Sequence, residues 1–359
     1  MTSEYTSLGL MSGTSGDGVD ASIIKSDGET QYKVILDKYF KYDKDIYKDI
    51  HKIKESLNNY KDLEKLSEEI KKLEKKITLF HAEVVNNSAN NNVDFVGFHG
   101  QTIFHNSEKK ISVQLGDGKL LSELTKKKVV YDFRQNDLKN GGEGAPLTPI
   151  FHKLLVNQKK INLPVTILNI GGIANVTSID KDNKIFSYDI GPGSCLIDKW
   201  IRINSDKTFD SEGKIARSGS INKIILDQSL DNFYNNDVSK KRSYDTKDFD
   251  LSFFKGLSLE DGAATLTEFT AQIFLKKNLY KNIYVCGGGR KNKFLIENIE
   301  KVIKNKIKLI DNLKIDGDFV ESQAFAYLAI RSCLNLPITF PETTGVKKSC
   351  IGGKIIETK

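Results

Sequence analysis

Cysteine, histidine and arginine are all scarce in this chain, and each scarcity removes a class of function. The four cysteines, Cys195, Cys286, Cys333 and Cys350, lie far apart and form no CxxC pair. Neither a zinc site nor a disulfide framework is indicated, and free thiols in a reducing cytosol are expected. The five histidines, His51, His81, His99, His105 and His152, show no HExxH or other metal-ligand spacing. No hydrophobic run approaches a membrane span, and the N-terminus has no basic-then-apolar signal pattern. A cytoplasmic protein with no membrane partner is therefore expected. Because arginine is scarce, the net charge of +7 is a lysine excess spread along the chain. A nucleic-acid-binding surface would cluster its basic residues on one face, so no nucleic-acid partner is expected.

What the chain does have is glycine-rich turns at the ends of apolar strands. At 359 residues it exceeds one ordinary core, so two domains are expected. Thr6 to Met11 reads as a strand that runs into the turn Ser12-Gly13-Thr14-Ser15-Gly16-Asp17-Gly18. Val19 to Ile24 resumes strand character, and Tyr32 to Tyr39 is a third strand. Two helices follow. The second, about Lys61 to Val85, carries Leu63, Leu66, Ile70, Leu73, Ile77, Phe80 and Val84 on one stripe, which suits a core-covering amphipathic helix better than a three-heptad coiled coil. Val93 to Phe98 then delivers the turn His99-Gly100-Gln101-Thr102. After the strand Lys128 to Phe133 come Arg134 and the loop Lys139 to Pro149, too glycine-rich for a regular element.

At Pro164 the pattern restarts. Val165 to Ile170 is a strand, Gly171 to Asn175 a turn, Val176 to Ile179 a strand, and Phe186 to Ile190 a third strand. This repeats the order at Thr6 to Tyr39 in pattern rather than in letters. Two domains of the same topology, facing one another across a cleft, are expected. The strand Asn282 to Cys286 ends in Gly287-Gly288-Gly289. Gly317 to Leu334 is a helix led by Asp318, Glu321 and Gln323, and the tail from Asn335 is polar and aperiodic.

Asp189 ends a strand immediately before Gly191-Pro192-Gly193. Taken alone, an Asp before such a turn most simply bonds its own backbone. A carboxylate held at a strand end beside a rigid turn is also well placed for chemistry. The Ser12–Gly18 turn offers consecutive N–H groups and the Thr14 and Ser15 hydroxyls, a suitable cradle for phosphate oxygens. Asp17 and Asp20 are either solvated turn residues or holders of a magnesium-bound water, since Mg²⁺ takes hard oxygen ligands and keeps several waters.

The ordered motifs resemble one family. Gly9-Leu10-Met11-Ser12-Gly13-Thr14-Ser15-Gly16-Asp17-Gly18-Val19-Asp20-Ala21 is similar to the opening signature of the anhydro-N-acetylmuramic acid kinases. His99-Gly100-Gln101-Thr102, Asp132-Phe133-Arg134, Gly141-Gly142-x-Gly144-Ala145-Pro146-Leu147, Asn169 to Asn175, Asp189-x-Gly191-Pro192-Gly193, Gly287-Gly288-Gly289 and Glu321-x-x-Ala324-Phe325-Ala326 follow in the expected order. Three positions depart from the pattern. Gly16 stands where the family has Leu, Ile190 where it has Thr, and Ser194 where it has Asn.

The resemblance implies an α/β fold of two related actin-like ATPase (ribonuclease H-like) domains, with mixed five-stranded sheets around a central cleft. The expected division is 1–135 plus 340–359 against 136–339. The implied reaction uses ATP and Mg²⁺ to phosphorylate 1,6-anhydro-N-acetylmuramic acid while water opens the anhydro bridge. On that reading Asp189 is the general base and Glu321 a second carboxylate for the water. Gly13, Thr14, Ser15, Gly16, Asp17, Gly18, Val19, Asp20, Gly171, Gly172, Asn175, Gly287, Gly288 and Gly289 would hold the nucleotide, with Asp17 and Asp20 reaching the metal through water. Arg134 would pair with the lactyl carboxylate, because a guanidinium fork matches a carboxylate. His99, Gln101 and Thr102 would meet the sugar. A homodimer is implied by the family alone. Two other readings stay open: a kinase of this fold for another sugar, and a non-catalytic nucleotide switch of the actin or chaperone kind.

Overall fold

The computed structural model describes residues 3–88, 93–235 and 243–357. The strands are β1 (Tyr5–Ser12), β2 (Gly18–Ser26), β3 (Tyr32–Lys41), β4 (Phe95–Asn106), β5 (Ile111–Leu115), β6 (Val129–Tyr131), β7 (Val165–Ile170), β8 (Ile173–Ile179), β9 (Ile185–Pro192), β10 (Ile283–Cys286), β11 (Ile307–Leu309) and β12 (Lys354–Ile356). The helices are α1 (Lys44–Ser56), α2 (Asp62–Lys65), α3 (Ser67–Ser88), α4 (Gly118–Thr125), α5 (Gln135–Lys139), α6 (Pro149–Gln158), α7 (Cys195–Asn204), α8 (Lys214–Ser218), α9 (Lys223–Asn235), α10 (Leu259–Ile273), α11 (Lys293–Ile303), α12 (Val320–Cys333) and α13 (Pro341–Thr344). The chain divides into two units, Met1–Ile161 with Phe319–Lys359, and Asn162–Asp318.

The two units share one sheet pattern. In the first the path is β3-β2-β1-β4-β6, and in the second it is β9-β8-β7-β10-β11. In both, the first three strands form an antiparallel meander and the next two join parallel to the meander's first strand. The order strand, glycine turn, strand, strand in the sequence is the trace of that meander. The second sheet has the five strands expected, but the first has seven. β5 is added antiparallel to β4, and β12 pairs antiparallel with β6 at the edge. The polar tail from Asn335 is thus not wholly aperiodic: Lys354–Ile356 forms the edge strand β12. A three-residue edge strand buries little, so it leaves almost no hydrophobic period to read.

The unit boundaries differ from the division expected at 135/136 and 339/340. α5 and α6 belong with the first unit, and so does α12. The reason for α12 is steric. A Cβ on Gly9 of β1 would collide with the Ser322 carbonyl and the Ala326 amide, and one on Gly97 of β4 with the Phe325 carbonyl. Glycines on the strands and alanines on the helix let α12 lie directly against the sheet, so all but its first-turn Glu321 and its last residue are buried.

Each unit has its own core. In the first, Leu8, Leu10, Val19, Ala21, Val96 and Phe98 pack against Ile46 and Ile50 of α1 and Leu73, Ile77 and Val84 of α3. The apolar stripe read as core-covering does cover the core. The single helix expected from Lys61 is interrupted at Leu66, whose backbone (φ −98°, ψ 14°) leaves the helical range and separates α2 from α3. In the second unit, Leu168, Ile170, Val176 and Ile190 pack against Trp200, Phe233, Leu266, Phe269 and Ile299. No helix among the described residues is long and apolar enough to cross a membrane.

Candidate active site

In the first unit, the β1–β2 turn is fastened by its carbonyls. Gly16 N–H donates to the Gly13 carbonyl at 3.1 Å, with Gly16 at φ +63°. Gln101 Nε2 donates to the same Gly13 oxygen at 2.9 Å. Lys54 Nζ donates to the Thr14 carbonyl at 2.8 Å, and His51 Nε2 lies 3.0 Å from that of Ser15. In a trans peptide the N–H points opposite to the C=O. The N–H groups of Thr14 and Ser15 therefore turn away from the side chains that hold Gly13 and Thr14, as a phosphate cradle requires. Gly16 must stay small, since a Cβ there would sit 2.9 Å from Ile50 Cγ2. Val19 is wholly buried in the core, so its side chain cannot reach a nucleotide as expected. Strand alternation turns it inward.

Asp17 and Asp20 bear on one phenol. Tyr39 Oη donates to the Asp17 carbonyl at 3.0 Å. Burial, the Asp17 carboxylate and the Asp20 carboxylate together hold the Tyr39 phenol well above its ordinary range. No group of three metal-ligating side chains exists among the described residues. Two carboxylates without a cage fit Mg²⁺, which is held by one or two carboxylates and its own waters.

β4 changes partners at His99-Gly100-Gln101. Before it the strand runs parallel to β1 and β6; after it, antiparallel to β5. Gly100 allows this, at φ +75° and with the Leu115 carbonyl where a Cβ would be. The expected turn is thus a kink inside a continuous strand. Gln101 is fully buried, with Oε1 2.7 Å from Ser12 Oγ and Nε2 on the Gly13 carbonyl. Its amide is spent bracing the β1–β2 turn, which leaves it no free group for a sugar. Thr102 Oγ1 accepts from Gln114 Nε2 at 3.2 Å and is half-buried.

His99 also differs from expectation. Nδ1 donates to the Gly100 carbonyl at 2.8 Å, and Nε2 accepts from Arg134 Nη2 at 2.9 Å. Burial first, and the Arg134 charge second, hold the imidazole well below its usual pKa. A neutral ring with both nitrogens engaged positions Arg134 and has none left for a ligand. Arg134 Nη1 donates to the Gly144 carbonyl at 2.7 Å, tying it to the glycine-rich loop. The sequence reading missed that loop's anchor. Asp137, buried, accepts from Gly144 N–H at 2.8 Å and from Thr344 Oγ1 at 2.6 Å. Glu321 lies in the first turn of α12, half-buried.

In the second unit, Asp189 is 5% exposed and its Oδ2 accepts from the Tyr244 N–H at 2.8 Å. The register aligns Asn169 of β7, Asn175 of β8 and Asp189 of β9 in one row across the sheet. Paired residues share a face, so three polar side chains line up there. The β7–β8 turn is only Gly171-Gly172, because β8 begins at Ile173 and takes in Ala174 and Asn175. Its carbonyls are fastened too. The Gly171 oxygen accepts from Ser194 N–H at 2.9 Å, and the Gly172 oxygen from Gly193 N–H at 2.9 Å. By the same peptide geometry the Gly172 N–H points away from Ser194. Ile190, where the resemblance expects Thr, is wholly buried in the core, which absorbs the larger side chain.

The triple glycine divides its labour. A Cβ on Gly287 would collide with Asn169 Oδ1, and one on Gly289 with the Ile170 side chain, while Gly288 is exposed and has nothing within 4 Å. Gly288 is therefore the open face on which a flat group could lie.

The chain matches the family model described as anhydro-N-acetylmuramic acid kinase over residues 5–358. It is 55% identical to the anhydro-N-acetylmuramic acid kinase of Pelagibacter ubique (strain HTCC1062), covering 98% of each chain. It is 36% identical to that of Agrobacterium fabrum (strain C58 / ATCC 33970), again covering 98% of each. Among solved structures it aligns with the (R)-2-hydroxyglutaryl-CoA dehydratase component A of Acidaminococcus fermentans, at 12% identity and a TM-score of 0.47, covering 92% of this chain and 99% of that one. With the sequence matched almost end to end, the chain belongs to the anhydro-N-acetylmuramic acid kinase family.

Proposed function

We propose that this chain converts 1,6-anhydro-N-acetylmuramic acid, ATP and water to N-acetylmuramic acid 6-phosphate and ADP. The observation that carries the reading is the 55% identity to a kinase of that name over 98% of both chains. The geometry of each unit supports it.

Asp189 takes a proton from the water whose oxygen bonds to the anomeric carbon. As that bond forms, the bond from the anomeric carbon to the bridge oxygen breaks. The freed oxygen takes the γ-phosphoryl group, and the bond from that group to ADP breaks. A positioned general base contributes on the order of 10²–10⁴ in rate. Asp189 suits the task because the Tyr244 N–H fixes one carboxylate oxygen. Glu321 is assigned to help hold the water.

The Thr14 and Ser15 amides of the first unit and the Gly172 amide of the second are assigned to phosphate oxygens, and Gly288 to the adenosine. Asp17 and Asp20 would hold Mg²⁺, which would supply neutralisation of phosphate charge. Arg134, set by His99 and Gly144, takes the lactyl carboxylate. Thr102, on β4 with His99, faces the sugar. His99 and Gln101 act through Arg134 and the phosphate turn. The reading includes a cytoplasmic homodimer, which light scattering on the purified protein tests for its oligomeric part. ADP release measured with and without the anhydro sugar tests the reaction. Release that requires the sugar is expected; release indifferent to it would leave a nucleotide switch instead.

A further inference from the structure

Arg290 follows the triple glycine directly, and its guanidinium is fully employed. Only 7% of the residue is exposed. Nε and Nη2 form a two-pronged pair with the Asp311 carboxylate at 2.8 and 2.9 Å. Nη1 donates to Asp318 Oδ1 at 2.5 Å and to the Gly287 carbonyl at 3.2 Å, and Nη2 reaches Asp316 Oδ1 at 3.4 Å. Lys291 Nζ pairs with the other Asp318 oxygen. An arginine beside a glycine motif invites assignment to phosphate. Here its charge is already shared among three carboxylates, so it has none to offer an anion.

The segment it grips is itself tied to the glycines. Gly287 N–H donates to the Gly317 carbonyl at 2.9 Å, and Gly317 must be glycine because a Cβ would collide with the guanidinium. Arg290 thus holds Gly287 from two sides, directly through its carbonyl and indirectly through the 311–318 segment. Gly287 sits at φ +81° and Gly289 presses on Ile170, leaving Gly288 as the open face between two fixed neighbours.

We propose that Arg290 is a positioning residue for nucleotide binding: its clamp on Asp311, Asp318 and Gly287 sets the plane of the Gly287–Gly289 backbone that receives the nucleoside. Lysine keeps the charge but loses the planar fork, so it cannot hold Asp311 at two points and Asp318 as well. The proposal rests on the assignment of Gly288 to adenosine made above.

The test uses the purified full-length chain and titration calorimetry with ADP and Mg²⁺. Arg290→Lys is expected to weaken ADP binding about tenfold, the scale of one lost hydrogen bond to a charged group. KM for ATP should rise in step, KM for the sugar should not change, and kcat at saturating ATP should stay near wild type. Asp318→Asn, which leaves Asp311 paired, should give a smaller change of the same kind if Arg290→Lys does not fold. A folded Arg290→Lys with unchanged ADP affinity overturns the proposal, as does an equal rise in both KM values. A wild-type protein that binds ADP yet never turns over the sugar leaves this assignment standing and removes the reaction proposed above. Failure of the wild type to bind ADP removes both.

Discussion

His99 Nε2 accepts a hydrogen bond from Arg134 Nη2 at 2.9 Å, so the histidine acts through the arginine. Replacing it should disturb the substrate arm without touching the nucleotide. His99→Ala is expected to raise KM for the anhydro sugar by about tenfold or more, since Arg134 loses one of its anchors. ADP affinity should stay at the wild-type value. Steady-state kinetics with each substrate varied, together with ADP titration, check this. Equal loss toward both substrates would mean that His99 supports the unit rather than the arm.

The buried histidines set an acid limit on stability. His81 is lowered to about 4 and His152 to about 3 by burial, and His99 lies well below its usual value. Each stays neutral in the folded chain while its unfolded counterpart protonates near pH 6.5. Stability from these groups is therefore complete above about pH 6.5 and is lost as pH falls toward the folded values, by up to about 1.4 kcal/mol per pH unit for each. Melting temperature should drop steeply between pH 6.5 and 4. His81→Phe, in a site already lined by Tyr42 and Phe98, should make that drop shallower. An unchanged slope would contradict the assignment for His81.

The three consecutive glycines should not be interchangeable. Gly288→Ala meets open space, so its melting temperature should stay within about one degree of wild type while ATP affinity falls. Gly289→Ala meets the Ile170 side chain, and Gly287→Ala combines a clash with φ +81°, so both should destabilise by about 1–3 kcal/mol. Urea unfolding of the three variants separates the cases. A destabilised Gly288→Ala would remove the case for an open nucleoside face.

The glycine-rich loop should depend on a residue outside it. Asp137→Ala deprives Gly144 N–H and Thr344 Oγ1 of their acceptor, and Gly144 in turn holds Arg134. A loss of about 1–3 kcal/mol is expected from the two stranded donors, with a raised KM for the sugar. Unfolding and kinetics on the same preparation check both. If stability falls and the sugar KM does not move, the loop does not govern Arg134.

Much of the architecture was legible because glycine turns are strong punctuation. Gly13, Gly16 and Gly171-Gly172 stand between short, largely apolar runs of strand length, and the two meanders follow from that spacing. The addition of β5 to the second half of β4 is a pairing that local pattern does not encode. The placement of α12 was equally hidden. It depends on Gly9 and Gly97 meeting Ser322, Phe325 and Ala326, contacts hundreds of residues apart. Among site residues, Asp189 announced itself by standing just before Gly-Pro-Gly, although β9 runs on through Pro192 and Asp189 lies within the strand rather than at its end. Gln101 and His99 were noticed for their chemistry, yet their partners Ser12, Gly13 and Arg134 decide what that chemistry does. Asp137 and Arg290 gave little signal. A charged residue in a polar stretch looks solvated until the fold closes over it.

The claim that Asp189 is the base has one most direct test. Asp189→Asn keeps an oxygen that can accept from the Tyr244 N–H, so the site keeps its shape and loses only the proton acceptor. Coupled ADP release with saturating ATP and anhydro sugar is the measurement, read beside ADP affinity on the same protein. The expected result is sugar-dependent turnover lower by about 10²–10⁴ with ADP affinity nearly intact. Turnover close to wild type in Asp189→Asn would contradict the account.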